Sequence, residues 1–163
     1  RAEVKTVIGT ASPKAEQMNA KSMPLLDSFI KEVLRLWPPT VIVPTRYAVQ
    51  PVHLEEMTIP QNALICINVE ALHHDPKVWP DPYKFDPSRF AEGAPPRDPF
   101  SYIPFLAGKR VCIGNNFSLL EQRIFYTMLL QRYRVEPGSK EFVVKPNFIL
   151  RVLDTAPVTL RPL

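Results

Sequence analysis

The stretch that decides the fold is Phe105-Leu106-Ala107-Gly108-Lys109-Arg110-Val111-Cys112-Ile113-Gly114, which leads directly into a helical pattern beginning near Asn115. Glycines 108 and 114 bracket the cysteine, and glycine permits positive φ and close approach of the backbone to a ligand. The following helix offers unpaired N–H groups and the positive end of its dipole, which favour a thiolate over a thiol. Arg110 adds charge for an anionic ligand group, and Phe105 can shield the sulfur from water.

Such a loop suits a soft or borderline metal ion that is held by a single sulfur. The alternative from the loop alone is a buried cysteine in a glycine turn, because free cysteine often behaves as a small hydrophobic residue.

Composition bounds the class of protein. The chain has 163 residues, of which 45% are hydrophobic and 22% charged, as expected for one globular domain with a sizeable core. The net charge is +4 without a Lys/Arg-rich run, so nucleic-acid binding is not indicated. Cys66 and Cys112 lie in different settings, which favours a reduced, cytosol-facing protein over a disulfide scaffold. No apolar run reaches the roughly 18 residues that span a bilayer.

Helical periodicity predicts two long helices. The first covers Pro24 to Trp37, shows one apolar face and ends at Pro38-Pro39. The second covers Asn115 to Arg134. Its predicted inward stripe consists of Phe117, Leu120, Ile124 and Met128. Residues 1–8 read as the end of a shorter helix that stops at Gly9.

Short β-rich segments and proline fill the rest of the chain. The predicted strands are Val41–Val43, Tyr47–Val49, Ala63–Ile67, Glu141–Lys145, Phe148–Val152 and Val158–Leu160. Residues 79–104 read as proline-punctuated coil, in a chain with 19 prolines.

The run His73-His74-Asp75-Pro76 has two interpretations. A pair of metal ligands is disfavoured, because adjacent histidines do not easily face one metal on regular backbone. The preferred interpretation is a helix start, with Asp75 as N-cap and Pro76 at the first helical position of a short helix toward Trp79.

Three motifs together resemble the cytochrome P450 family. The pattern F-x-x-G-x-R-x-C-x-G at residues 105–114 is similar to its haem-thiolate loop, with all five fixed positions present. Glu32-Val33-Leu34-Arg35 resembles its E-x-x-R motif, and Pro87-Ser88-Arg89-Phe90 resembles its P-x-R-F motif. The resemblance covers nearly the whole chain.

The resemblance implies a fold and a place within it. Residues 1–163 would be the carboxy-terminal portion of a cytochrome P450-like domain, and the distal oxygen-activating helix would lie upstream. The implied fold is mixed α and β. It contains the E-x-x-R helix, small β-sheets, proline-rich coil, the haem-thiolate loop and the long helix that follows.

The resemblance also implies a set of site residues. Cys112 would be the axial thiolate ligand of the iron of haem b. The other residues expected to bind this haem are Arg46, Phe105, Gly108, Arg110 and Gly114. Arg46 would pair with a haem propionate, although an edge-strand arginine with a packed stem is the alternative.

Two further groups of residues are implied. Glu32, Arg35 and Arg89 would form a buried ion network, whereas the residues alone also fit a solvated i, i+3 pair and a surface arginine. Val41, Ile42 and Val43 would line the substrate pocket. Lys109 and Arg123 are expected to help dock an acidic electron donor.

The function implied by the resemblance is a monooxygenase. It would insert one atom of O₂ into a small lipophilic substrate, with electrons from an NADPH-dependent reductase or another electron donor. The alternatives are a haem-thiolate isomerase or dehydratase of the same superfamily, and a non-catalytic haem-binding fragment. We expect the 163 residues alone to be inactive, because no Gly-Thr with an acidic neighbour is present. We also expect membrane association, at the endoplasmic reticulum, only through an upstream region.

Overall fold

The computed structural model describes residues 1–43, 45–138, 144–145, 149–152 and 157–163. Within these ranges the α-helices are α1 (Ala2–Val7), α2 (Pro24–Leu36), α3 (Val69–His73) and α4 (Asn115–Arg132). The strands are β1 (Arg46–Tyr47), β2 (Val52–His53), β3 (Thr58–Ile59), β4 (Leu64–Ile65), β5 (Tyr133–Pro137), β6 (Val144–Lys145), β7 (Arg151–Val152) and β8 (Val158–Pro162). The predicted mixed α and β fold with small sheets is confirmed.

The main core lies between α1, α2 and α4. Its buried side chains are Val4, Ile8, Met18, Met23, Leu26, Ile30 and Leu34. α2 starts with Pro24 at its first position and ends at Leu36, because the residue before a proline disfavours the helical region. The Glu3 carboxylate on α1 accepts hydrogen bonds from the N–H groups of Leu25 and Leu26, at 2.8 and 2.9 Å. This carboxylate caps α2 from a neighbouring helix.

α4 buries only the middle of the predicted inward stripe, where Leu120 and Ile124 pack against the core. Thr127 is fully buried, and its Oγ1 lies 3.8 and 3.9 Å from the sulfurs of Met18 and Met23. Phe117 is 71% exposed and Met128 is 37% exposed, so the predicted inward stripe is wrong at both ends. Apolar residues also occupy the other side of this helix, where Leu119, Tyr126 and Leu130 pack against the core. Periodicity alone therefore could not choose the buried side.

The strands form four antiparallel pairs within the described residues: β1 with β4, β2 with β3, β5 with β8, and β6 with β7. The first two residues of β5, Tyr133 and Arg134, were predicted as the end of α4, but the helix stops at Arg132 and the chain becomes extended at Tyr133. Much of the predicted strands Glu141–Lys145 and Phe148–Val152 lies outside the described residues.

The segment Val41–Val43 runs alongside residues 67–69 rather than within a named strand. Val43 N–H donates to Ile67 O, and Val69 N–H donates to Val41 O, both at 2.9 Å. Val41 and Val43 are buried, and Ile42 is 46% exposed. Alternate side chains of extended backbone point to opposite faces, which explains this pattern.

The helix near the histidine pair ends at His73 instead of starting after the pair. α3 covers Val69–His73, and the Asn68 side chain caps it by accepting from Ala71 N–H at 2.9 Å. Asp75 does accept from Lys77 N–H through its side chain, at 2.9 Å, but only a single turn follows, with Trp79 N–H bonded to Asp75 O. The predicted helix from Pro76 toward Trp79 is wrong, because Pro80 and Pro82 follow too closely.

None of the helices in the described ranges combines the length and the apolar character needed to cross a bilayer.

Candidate active site

The cysteine loop is closed by short backbone hydrogen bonds. Cys112 N–H donates to Phe105 O at 2.9 Å, and Leu106 N–H donates to Ile103 O at 3.0 Å. Leu106 and Gly108 both have positive φ, at 64° and 68°. Glycine adopts that region freely, but leucine does so at a cost of about 1–2 kcal/mol. The Cys112 side chain is exposed at the end of this loop as a free thiol.

Gly114 does not adopt the left-handed conformation, since its φ is −83° at the start of α4. Gly108 therefore uses the positive φ that glycine permits, and Gly114 does not. A Cβ atom at position 114 would lie 3.7 Å from the Cys112 sulfur. Glycine at this position instead keeps the space beside the sulfur open.

An apolar cavity of about 290 Å³ lies along the loop and brings two arginines together. Arg46 from β1 and Arg110 from the loop both line it, although they are 64 residues apart in the sequence. The other lining residues are Val43, Ile65, Ile67, Phe100, Ile103, Leu106, Ala107 and Gly108. Most of the residues that line this cavity were not among the predicted site residues. The alternation of Ile65 and Ile67 along an extended segment was the available signal.

Phe105 is half-buried and packs against the main core. Its side chain therefore anchors the start of the loop, and its carbonyl holds Cys112 N–H. Of the three residues predicted to line a substrate pocket, Ile42 is exposed, Val43 lines the cavity with the two arginines, and Val41 is buried near Leu36 and His74.

Glu32, Arg35 and Arg89 meet in a buried ion network. Arg35 Nε and Nη2 donate to the two carboxylate oxygens of Glu32 at 2.8 and 2.9 Å, and both side chains are fully buried. Arg89 Nε lies 3.5 Å from Glu32 Oε1, an ion-pair distance that is long for a hydrogen bond. A bidentate guanidinium–carboxylate pair of this kind combines charge with fixed geometry.

This network holds the proline-rich coil against α2. Arg35 Nη1 donates to the carbonyls of His73 and Pro82 at 2.9 and 2.7 Å. Glu32 Oε1 accepts Asp86 N–H at 2.8 Å, and Arg89 Nη2 donates to Asp81 O at 3.0 Å. One carboxylate and two guanidinium groups thereby form the hydrogen bonds of backbone N–H and C=O groups that have no partner in a helix or a sheet.

Arg123 belongs to a second ion pair. It is bonded to the Asp27 carboxylate on α2, with its side chain 14% exposed, and Lys31 pairs with the same carboxylate at 2.8 Å. Burial by itself raises the pKa of Asp27, but the hydrogen bonds from Lys31 and Arg123 outweigh it and lower the pKa below its usual value. This side chain ties α4 to α2, and its burial and pairing disfavour the docking role that was expected of it.

His73 is a buried residue whose role the sequence did not reveal. Its Nε2 accepts Ile103 N–H at 2.9 Å, and its ring stacks on Tyr102 with 5.3 Å between centroids. Burial lowers the pKa of His73 from 6.5 to about 4, so the ring is neutral near pH 7. Since the folded-state pKa lies below the unfolded value, its contribution to stability is complete above pH 6.5 and is lost as the pH falls toward 4.

A sequence profile described as Cytochrome P450 matches residues 1–157. This chain belongs to the cytochrome P450 family. Cytochrome P450 4F8 of Homo sapiens is 38% identical over 168 residues, an alignment that covers 100% of this chain and 32% of that protein. Cytochrome P450 4F4 of Rattus norvegicus is 40% identical and covers 86% of this chain and 27% of that protein. The chain thus spans about a third or less of the length of these curated relatives.

Two further comparisons extend this likeness. Leukotriene-B4 omega-hydroxylase 3 of Mus musculus is 37% identical, with 93% of this chain and 29% of that protein covered. The solved structure of retinoic acid bound cyanobacterial CYP120A1 superposes with a TM-score of 0.88 and 33% identity, covering 100% of this chain and 38% of that one. Fold and motif order therefore agree with the family over the full chain.

The family implies a haem cofactor, and the residues present fit that group. An apolar cavity that carries two guanidinium groups suits a planar hydrophobic ligand with carboxylates at its edge. An exposed thiol with open space beside its sulfur suits a metal ligand.

The ion network gives the first prediction. Glu32→Ala should leave two buried guanidinium groups without their carboxylate and lower the free energy of unfolding by about 3–5 kcal/mol. Chemical denaturation of the protein that contains this chain measures the change. The matched control is Glu136→Ala, which breaks the 2.7 Å pair with the exposed Arg161 and should cost less than about 1 kcal/mol. Equal, small losses in both variants would contradict a structural role for the network.

Proposed function

We propose that this chain forms the haem-thiolate part of a monooxygenase that places one atom of O₂ into a lipophilic organic substrate. The observation that carries this proposal is the exposed Cys112 thiol on a closed loop, because other residues of that loop line an apolar cavity together with Arg46. The site has the chemistry for one sulfur ligand, two anionic edge groups and a flat apolar body. The cofactor would be haem b.

Each residue of the site then has a part in holding this group. Cys112 supplies the thiolate, and the bond from its N–H to Phe105 O fixes the backbone that carries the sulfur. Arg46 and Arg110 would pair with the two propionates, and Ile103 and Leu106 would keep water from the cavity wall. Thiolate-ligated haem, when bound, supplies the activation and splitting of O₂. The protein contributes position, charge and exclusion of water.

The similar proteins support a lipophilic substrate. One relative is named for hydroxylation of leukotriene B4, and one similar structure contains retinoic acid. Both molecules are largely apolar. Ile42, exposed between two buried valines, is the residue of this chain that we propose to face such a substrate.

Two other functions remain as alternatives. A haem-thiolate isomerase or dehydratase would use the same loop without a reductase, and a non-catalytic fragment would bind haem without turnover. Consumption of NADPH that depends on both substrate and reductase distinguishes the monooxygenase from each of them. Location at the cytosolic face of the endoplasmic reticulum stays a prediction from the family resemblance.

The cysteine assignment can be tested by spectroscopy. Cys112→Ala should abolish the red-shifted Soret band of the ferrous–CO complex, because that band reports thiolate ligation. Cys66→Ala is the matched control, since Cys66 is also exposed and free, and it should keep the band. A Cys112→Ala protein that retains the band, with Cys66→Ala losing it, would reverse the assignment.

We propose that Lys109 contributes to docking of an acidic electron donor, because it is exposed on the loop that carries Cys112. Lys109→Glu should slow reduction by the donor about tenfold at low ionic strength and much less at high salt. Stopped-flow reduction measures both conditions. Lys5→Glu on α1 makes the same charge change elsewhere and should alter the rate little. Equal rates for both variants would remove Lys109 from the docking surface.

We further propose that residues 1–163 by themselves do not sustain turnover. α4 leaves Phe117 and Phe125 71% and 58% exposed, and apolar surface of this kind promotes aggregation. The test is to add haem, a competent reductase and substrate to the purified 163-residue chain and to measure oxygenated product. Sustained product formation coupled to NADPH oxidation would overturn this proposal.

A further inference from the structure

We infer that His73 is a positioning residue for the cysteine loop. Its backbone is held by the Glu32–Arg35 ion pair, and its imidazole ring holds the backbone that enters the loop. The inference rests on the proposed haem-thiolate function, because it assigns His73 a role in setting the place of Cys112.

The first contact joins the ion pair to His73. Arg35 Nη1 donates to His73 O at 2.9 Å, while the same guanidinium is bonded to both oxygens of Glu32. All three residues are 0% exposed. A charge-assisted hydrogen bond from a fixed guanidinium restrains the end of α3, and with it the Cα atom from which the imidazole extends.

The second contact joins the imidazole to the segment before the loop. Nε2 accepts Ile103 N–H at 2.9 Å, and the ring stacks on Tyr102, whose hydroxyl donates to Lys31 O on α2 at 3.1 Å. An acceptor at Nε2 requires the neutral ring with its proton on Nδ1. Burial lowers the pKa of His73 to about 4, which keeps the ring in that form.

The acceptor at Nε2 argues against simple packing. The ring also interacts with the backbone of Arg35 and Leu34 at the end of α2, which opposes the fall in its pKa. An apolar side chain of similar size could fill the same space. What an apolar side chain cannot provide is the acceptor for Ile103 N–H.

The third contact joins Ile103 to the sulfur ligand. The Ile103 side chain lines the cavity shared by Arg46 and Arg110, and its carbonyl accepts Leu106 N–H at 3.0 Å. The carbonyl of Phe105, two residues after Ile103, accepts Cys112 N–H at 2.9 Å. Displacement of the Ile103 amide would therefore shift the strained turn at Leu106 and the backbone that carries Cys112.

The neighbouring histidine provides a matched control. His74 is 9% exposed, its Nδ1 bonds to Glu70 O within its own helix at 2.8 Å, and its ring stacks on Tyr83. His74 has the same side chain as His73 and is its neighbour in the sequence. It makes no hydrogen bond to the described segment that contains Ile103 and leads into the loop.

The test compares His73→Gln with His73→Asn in the haem-loaded protein. A glutamine Oε1 can reach close to the position of Nε2, whereas asparagine is one carbon shorter and leaves Ile103 N–H unpaired. We expect His73→Gln to keep the thiolate-type ferrous–CO band. His73→Asn should lower the fraction of the ferrous–CO complex that shows this band about fivefold at equal haem content, because one buried hydrogen bond is lost. Hydrogen exchange at the Ile103 amide should accelerate in His73→Asn while the α2 amides stay protected. His74→Asn should change neither quantity.

The outcomes separate this inference from the proposed function. A wild-type protein without the thiolate band would overturn the proposed function and this inference together. A wild-type band that is equally intact in His73→Gln and His73→Asn, with unchanged exchange at Ile103, would overturn the inference alone. If His73→Asn fails to fold, His73→Leu, which keeps an apolar side chain but has no acceptor, takes its place: faster exchange at the Ile103 amide supports the inference, and unchanged exchange overturns it.

Discussion

The bidentate pair between Glu32 and Arg35 is the interaction on which the rest of this structure depends. Both side chains are removed from water, which is costly for charges unless hydrogen bonds replace the lost solvent. Here the replacement comes from the end of α3 and from coil. The carbonyls of His73, Pro82 and Lys84 accept hydrogen bonds from the Arg35 guanidinium, and Asp86 N–H donates to the Glu32 carboxylate. The coil and the ion pair are therefore stable only together.

This dependence explains how a chain rich in proline keeps a defined shape between α3 and the cysteine loop. Proline removes backbone donors and prevents regular ladders, so the remaining backbone groups need side-chain partners. Trp79 adds an apolar centre to the same region. It is buried, and the guanidinium carbons of Arg35 and Arg97 lie 5.3 and 4.7 Å from its ring centroid. Charge, aromatic packing and backbone hydrogen bonds thus converge on one short stretch of coil.

Sequence reasoning was accurate where local chemistry decides the structure. Pro24 and Pro38 bound α2, Gly9 follows α1, and the fixed residues of the 105–114 loop indicated both the turn and the family. It failed where tertiary packing decides. The apolar residues of α4 lie on more than one side, so Thr127 rather than Phe117 is buried, and His73 gains its partner from a residue 30 positions away. The cavity wall was missed for the same reason, since Ile65, Phe100 and Ile103 become neighbours only in the folded chain.

The left-handed conformation of Leu106 has a consequence for how this loop tolerates sequence change. Two residues later Gly108 has nearly the same φ, but a substitution has a different effect on backbone strain at each of the two positions. At 108 the native residue has no side chain to strain, so any replacement with a Cβ atom adds a penalty. At 106 the penalty is already present in the native protein, and glycine or asparagine would relieve it. Backbone strain thus restricts substitution at 108, whereas at 106 it favours glycine or asparagine, and only the apolar cavity wall that both residues line favours leucine there.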